Sequence, residues 1–204
     1  MTNPRTALLD LLARTSFRLG NFTLSSGAKS DYYIDCRTTT LHAEGGRLTG
    51  LAILDLLREH NLNPKAVGGL TLGADPVVSA VAIASACRAQ QQNGAPLIHG
   101  FLVRKAEKAH GTGRRIEGFC EKDAPVLIVD DVCTTGASTI AAIEAAREVG
   151  MRVIAAICLV EREEAGGRAA LEAACQSEGP GAPFLALYTA NDVKAAHIRQ
   201  LPPR

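Results

Sequence analysis

The spacing of apolar residues changes several times along the chain, and each change marks a predicted element. Over Glu44–His60, Leu48, Leu51, Leu54 and Leu57 recur every three residues, which suits an amphipathic helix. Ala66–Leu70 is a short apolar run that ends in a turn-like Thr71-Leu72-Gly73. Asp75-Pro76 then opens a helix: the acid caps free N–H groups, and the proline takes the first helical position, where it forfeits no hydrogen bond. Leu97–Val103 and Val126–Val129 read as strands, Ala137–Val149 as a helix closed by Gly150, and Arg152–Val160 as a further strand. Arg168–Gln176 suits another helix and Pro183–Tyr188 a last strand. Thr189 and Asp192 then have the spacing of a capping box for a C-terminal helix.

Strands that are apolar throughout and separated by helices predict a parallel sheet buried on both faces. The expected fold class is therefore α/β, a doubly wound and mostly parallel sheet with ligands at the carboxyl ends of its strands. The N-terminal part breaks the rhythm. Pro4–Phe17 looks helical, but Phe22–Cys36 is short, polar and Gly/Ser-containing, with Tyr32-Tyr33 inside it. It is expected to form a small hood over the ligand edge. With no linker or repeat, residues 1–204 read as one domain: an N-terminal helix and hood at 1–43, and a core with its C-terminal helix at 44–204.

Charge narrows the chemistry. With 22 basic and 21 acidic residues, net +1, no global field attracts nucleic acid or an acidic membrane, so any bound anion must be held by local groups. The six cysteines form no Cys-x-x-Cys pair and no half of a zinc site, so they are expected to be reduced thiols, several of them buried. No dedicated metal site and no cofactor-binding motif is predicted. The longest apolar stretch, Val77–Cys87, is too short to span a bilayer, and Met1–Arg5 does not begin a signal peptide. The expected location is cytoplasmic.

The most informative segment is Val126–Ser138. An apolar run leads into Asp130-Asp131, then Val132-Cys133-Thr134-Thr135-Gly136, then the helix that starts at Ala137-Ser138. Gly136 permits a tight turn in which successive amides point at one spot near a helix N-terminus, an arrangement suited to phosphate. Thr134, Thr135 and Ser138 add hydroxyl donors. The helix dipole contributes only about 0.3–1 kcal/mol, so converging amides must supply most of the grip. Two carboxylates beside an anion site would repel it unless they face something else. Sugar hydroxyls are the natural partners, because carboxylates only accept hydrogen bonds. A phosphorylated ribose satisfies both halves. A plain capped turn is the competing reading. No Gly-x-x-x-x-Gly-Lys-Ser/Thr occurs, and Gly111-Thr112-Gly113 lacks the third glycine of a dinucleotide fingerprint.

The run Val126–Gly136 resembles the phosphoribosyl-pyrophosphate (PRPP) signature of the type I phosphoribosyltransferases, and three other stretches resemble the orotate phosphoribosyltransferase family among them. These are Phe22–Gly27 with Asp31–Asp35 (the hood), Gly68–Val77 (the pyrophosphate-side loop) and Val103–Gly111 (a mobile catalytic loop). The resemblance implies transfer of ribose 5-phosphate from PRPP to orotate, with release of pyrophosphate, in pyrimidine biosynthesis. It implies that Asp130 to Ser138 hold the ribose and its 5-phosphate, with Thr134 also near the pyrimidine. Arg162 would bind orotate, Arg104, Lys105, Lys108 and His110 would surround the pyrophosphate, and Lys108, His110, Asp130 and Asp131 would carry the catalysis. It further implies Mg2+ bound mainly through PRPP, and a homodimer in which the mobile loop completes the neighbouring site.

The residues agree in part: Arg104 to Arg115 is a basic stretch containing Gly111 and Gly113, although basic loops are often plain solvated surface. Family members often carry a lysine where Ser25 stands, and some carry one near Gly73, which leaves Lys29 or Arg37 as candidate hood cations. Tyr33 either lines the base pocket or packs as a core aromatic. The alternatives are a phosphoribosyltransferase for another base and a PRPP-sensing regulator of the same fold.

Overall fold

The computed structural model describes residues 3–23, 27, 29–105, 115–176 and 181–202. Its core is a six-stranded sheet with the order β5-β4-β3-β6-β7-β8, formed by β3 (Ala66–Leu70), β4 (His99–Val103), β5 (Ile116–Gly118), β6 (Pro125–Cys133), β7 (Arg152–Glu161) and β8 (Phe184–Thr189). All neighbours are parallel except β5, which pairs antiparallel with β4.

The apolar stretch Val126–Val129 of β6 is buried at every position. Leu127 and Val129 enter one core, packed by α1 (Pro4–Thr15), α3 (Ala43–Glu59), α4 (Asp75–Gln91) and α7 (Ala190–Gln200). Val126 and Ile128 enter the other, beneath α5 (Ala137–Glu148) and α6 (Arg168–Gln176). Both faces are covered, so neither has room for polar side chains. The three-residue leucine spacing predicted for α3 buries Leu48, Leu54 and Leu57, while Leu51 is half-buried on its flank. The capping box at α7 is present, with Thr189 and Asp192 each satisfying the other's backbone N–H.

Several boundaries move. The predicted helix Pro4–Phe17 stops at Thr15, and Phe17 instead starts a strand. Leu97 is exposed, and β4 begins at His99. β6 runs four residues past Val129, because β7 keeps bonding it as far as the Cys133–Glu161 pair. The hood is an antiparallel hairpin of β1 (Phe17–Thr23) and β2 (Lys29–Ile34), followed by the one-turn helix α2 (Arg37–Thr40). Its register slips between Leu19 and Phe22. Phe17 stacks on Tyr32 at 5.4 Å, and Lys194 of α7 pairs with Asp31 at 2.6 Å.

α4 follows β3 onto one face and α5 follows β6 onto the other. Chains leaving adjacent strands in opposite directions open a crevice at the strands' carboxyl ends, the expected ligand position in a doubly wound sheet. No helix among the described residues is long and apolar enough to cross a membrane.

Candidate active site

That crevice is a cavity of about 360 Å3. Its floor is the end of β6 (Asp130, Asp131 and Val132), one wall is the β3 exit from Leu70 to Gly73, and the hood contributes Tyr33 and Arg37. Lys105, Thr134, Ser138 and Arg162 complete it. A larger chamber of about 1040 Å3 adjoins it, shares Tyr33, Thr134 and Arg162, and extends under the hairpin past Lys29 and Tyr32 to Lys194.

The cradle has the expected construction. Gly136 has φ +80°, a left-handed conformation that side-chain-bearing residues rarely adopt, and it starts α5. Among the described residues, none of the backbone N–H groups from Thr134 to Ser138 donates to another protein group. Thr134, Thr135 and Ser138 are exposed. Unspent amides at a helix N-terminus beside exposed hydroxyls are the arrangement that suits an anion such as a phosphoryl group. The support comes from below. A Cβ on Gly167 would collide with the Thr134 carbonyl oxygen and lie 2.6 Å from the Thr135 carbonyl carbon, so the cradle rests directly on that glycine. Cys133 turns its thiol into the core, and its carbonyl accepts the Arg162 N–H at 2.8 Å. It offers the site backbone only.

Asp130 is buried, and its carboxylate accepts from Thr139 Oγ1 at 3.0 Å and from the Asp131 N–H at 3.0 Å. Burial, with the Asp131 charge added, pushes its pKa up to about 7. Asp131 is also raised by burial, against the pull of the Val132 N–H and of Arg37. Each of these carboxylates gains by meeting hydroxyl donors or a cation. Among the described residues no group of three or more His, Cys, Asp or Glu could cage a metal ion. The adjacent pair of carboxylates is chemically suited to a hard cation such as Mg2+, which takes oxygen ligands.

Across the cavity lies Arg162, 8% exposed. Its guanidinium lies 4.7 Å from the centre of the Tyr32 ring. Nε donates to Glu164 Oε1 at 3.0 Å and to the Tyr32 hydroxyl at 3.1 Å, and Nη2 donates to Ser30 Oγ at 3.3 Å. Arg37, its pKa raised by bidentate bonds to Asp35, faces Asp131 from the hood.

The structure thus gathers Asp130, Asp131, Val132, Thr134, Ser138, Lys105 and Arg162 around one cavity. Thr135 lines the adjoining chamber, and Gly136 and Ala137 belong to the cradle backbone behind them. Arg104 is not on the cavity wall: it pairs with Glu117 at 3.5 Å, and its N–H bonds the Arg115 carbonyl. Lys108 and His110 lie outside the described residues. Arg37 and Tyr33 both line the cavity. Gly167 and Glu164 escaped the sequence reading, although the Gly166-Gly167 pair before a helix was a visible sign of close backbone approach.

The profile for the phosphoribosyl transferase domain matches residues 107–173. The orotate phosphoribosyltransferase of Streptomyces coelicolor is 40% identical over 188 residues, which covers 92% of this chain and 96% of that protein. The crystal structure of Mycobacterium tuberculosis orotate phosphoribosyltransferase with Fe(III) dicitrate superposes with a TM-score of 0.74 at 36% identity, covering 93% of this chain and 98% of that one. The same enzyme in complex with PRPP superposes at 0.71 and 32% identity, covering 94% and 99%. On this extent of similarity, over nearly the whole of both chains, the protein belongs to the orotate phosphoribosyltransferase family.

Proposed function

We propose that the protein transfers the ribose 5-phosphate group of PRPP to orotate, forming orotidine 5'-monophosphate and pyrophosphate, as a cytoplasmic enzyme of pyrimidine biosynthesis. The observation that carries this reading is the cradle: backbone N–H groups from Thr134 to Ser138 that have no partner among the described residues, a buried and a half-buried carboxylate beside them, and a buried arginine across the cavity. A phosphate, a ribose and a carboxylated base match those three features in order.

Orotate N1 bonds to C1 of the ribose as the C1–O bond breaks; the electron pair of that bond leaves on pyrophosphate, and the N1 proton passes to the pyrophosphate oxygens or to water. The ribose carbon becomes cation-like on the way. Asp130 and Asp131 orient the ribose hydroxyls and stabilise that positive character, so neither needs to act as a general base. Mg2+ brought in with PRPP, with Asp130 and Asp131 as the nearby carboxylates, would supply charge neutralisation for the leaving group. Lys105 on the cavity wall, with Lys108 and His110 from the 106–114 segment, would meet the departing oxygens and exclude water from the activated sugar. Arg104 would complete the pyrophosphate side.

A homodimer is part of the proposal. The α2–α3–α4 surface carries an apolar groove of about 900 Å3 where Leu41 and Ile83 are 73% and 65% exposed. Thr40 Oγ1 and Asp75 Oδ1, buried at its edge, have no hydrogen-bond partner among the described residues. Such a surface favours a second copy of the chain. Ile83→Asp should shift the mass measured by light scattering from dimer to monomer.

The deciding experiment is incubation with PRPP, Mg2+ and a panel of bases. Orotate should be consumed with release of one pyrophosphate per turnover. Reaction of hypoxanthine without orotate would mark an enzyme for another base, and binding of PRPP with no turnover of any base would mark a regulator.

A further inference from the structure

Arg162 is held by more groups than a surface arginine needs, and they come from two separate parts of the chain. Glu164, two residues along, takes both donors on one side of the guanidinium: Oε1 is 3.0 Å from Nε and 2.9 Å from Nη2. Tyr32, from the hairpin, accepts from Nε at 3.1 Å, lays its ring against the guanidinium plane and donates its own hydroxyl to Glu164. Phe17 stacks behind Tyr32, and His197 of α7 packs against Phe17 at 5.1 Å. The result is a closed triangle of Arg162, Glu164 and Tyr32, braced from behind by two rings.

A guanidinium can grip a carboxylate through either of two edges, Nε with Nη2 or Nη1 with Nη2. Glu164 closes the first. Nη1 donates to nothing among the described residues, and Nη2 has only the long bond to Ser30 beyond Glu164. One edge is therefore left, and its direction is set by Glu164 and the Tyr32 ring, not by the arginine's flexible stem. An arginine fixed in this way loses little rotamer freedom when a ligand arrives, which strengthens binding.

We propose that Glu164, together with Tyr32, is the positioning element that aims the Nη1–Nη2 edge of Arg162 at the carboxylate of the base. Selectivity for a carboxylated pyrimidine is then a joint product of the β7–α6 turn and the hairpin. The inference rests on the reading that this enzyme uses orotate. Glu164 keeps its charge in this setting: burial raises its pKa, but the Tyr32 hydroxyl and Arg162 together more than offset that.

The test is steady-state kinetics of Glu164→Gln and Tyr32→Phe with orotate and PRPP varied separately, alongside calorimetry with PRPP alone. Glu164→Gln should raise the KM for orotate about tenfold, and Tyr32→Phe about threefold, with PRPP binding unchanged in both. The double variant should lose less than the product of the two, because both changes break one triangle. Glu164→Asp should recover part of the loss. Tyr32→Phe retains the buried ring, so it reports even if the turn variants fold poorly. A lower KM for orotate in Glu164→Gln would make Glu164 a competitor that the base must displace, and an unchanged KM would make it a bystander; either result overturns the proposal. A wild-type enzyme that ignores orotate would instead sink the parent reading, whatever the variants do.

Discussion

The proposed phosphate cradle grows from the middle of a six-stranded sheet, whereas the facing wall, beyond Arg162, is supplied by a two-stranded ribbon laid beside it. β6 is flanked by β3 and β7 and covered on both faces, so the loop after it inherits a rigid start. The grip there is backbone, with exposed hydroxyls added. The hairpin has no such surroundings, since most of β1 is exposed. It is anchored by Phe17 and Tyr32, by the Lys194–Asp31 pair, and by hydroxyls of Ser16 and Thr39 that lie 2.6 Å apart. One wall is made of peptide groups and set by topology, while the other is made of side chains and set by their mutual contacts. The first can be damaged only by moving the chain, the second by trimming single groups.

Three substitutions test that contrast. The largest effect is expected of Gly167→Ala, which adds one carbon under the cradle where only backbone is available to yield. PRPP affinity should fall about 100-fold, roughly 3 kcal/mol by calorimetry. A loss of a few-fold would mean that the loop adapts and the rigid half of the contrast is wrong. Next is Arg162→Ala, which should raise the KM for orotate by about 2–3 kcal/mol, some 30- to 150-fold, because it removes a charge-assisted pair. PRPP binding should be unaffected, and a parallel loss would show that the walls are not separable.

The smallest effect is on stability. Asp130 carries a pKa raised to about 7, against an ordinary value near 4 when unfolded. The folded chain therefore binds this proton more tightly, and the stability it contributes is present below about pH 4 and lost as pH rises toward 7. Asp130→Asn lacks the titration. Relative to wild type it should gain about 1–3 kcal/mol between pH 4 and pH 8 in urea unfolding, even as it loses catalysis. Equal pH profiles would show that the buried carboxylate carries no such strain.

Much of the core was legible because burial writes itself into composition. β3, β6, β7 and β8 are apolar runs, and α3 repeats its leucines; no competing period obscures either. The cradle was legible for a related reason: a glycine that must adopt positive φ, beside small hydroxyl residues, is a local requirement visible in a few adjacent letters. The hairpin was not, since β1 faces solvent at most positions, contains Gly20-Asn21 and changes register, so it shows no clean alternation. β5 is only three residues long and carries no pattern of its own. The extent of β6 was missed because Asp130 and Asp131 look like a strand's end, yet bonding to β7 carries them inside it. The Arg162 triangle joins residues 130 positions apart, a proximity that only folding reveals.

The segment from Glu161 to Gly167 touches the cradle twice, once through the Arg162 N–H on the Cys133 carbonyl and once through Gly167 beneath Thr134. Between those two points it carries Arg162, the side chain proposed to meet the base. Any shift of the loop when a phosphate settles must therefore be felt five residues away at the guanidinium, and the reverse holds equally. If the two substrates bind as proposed, such a shared strut would make them heterotropic effectors of each other, with one reciprocal factor governing both affinities.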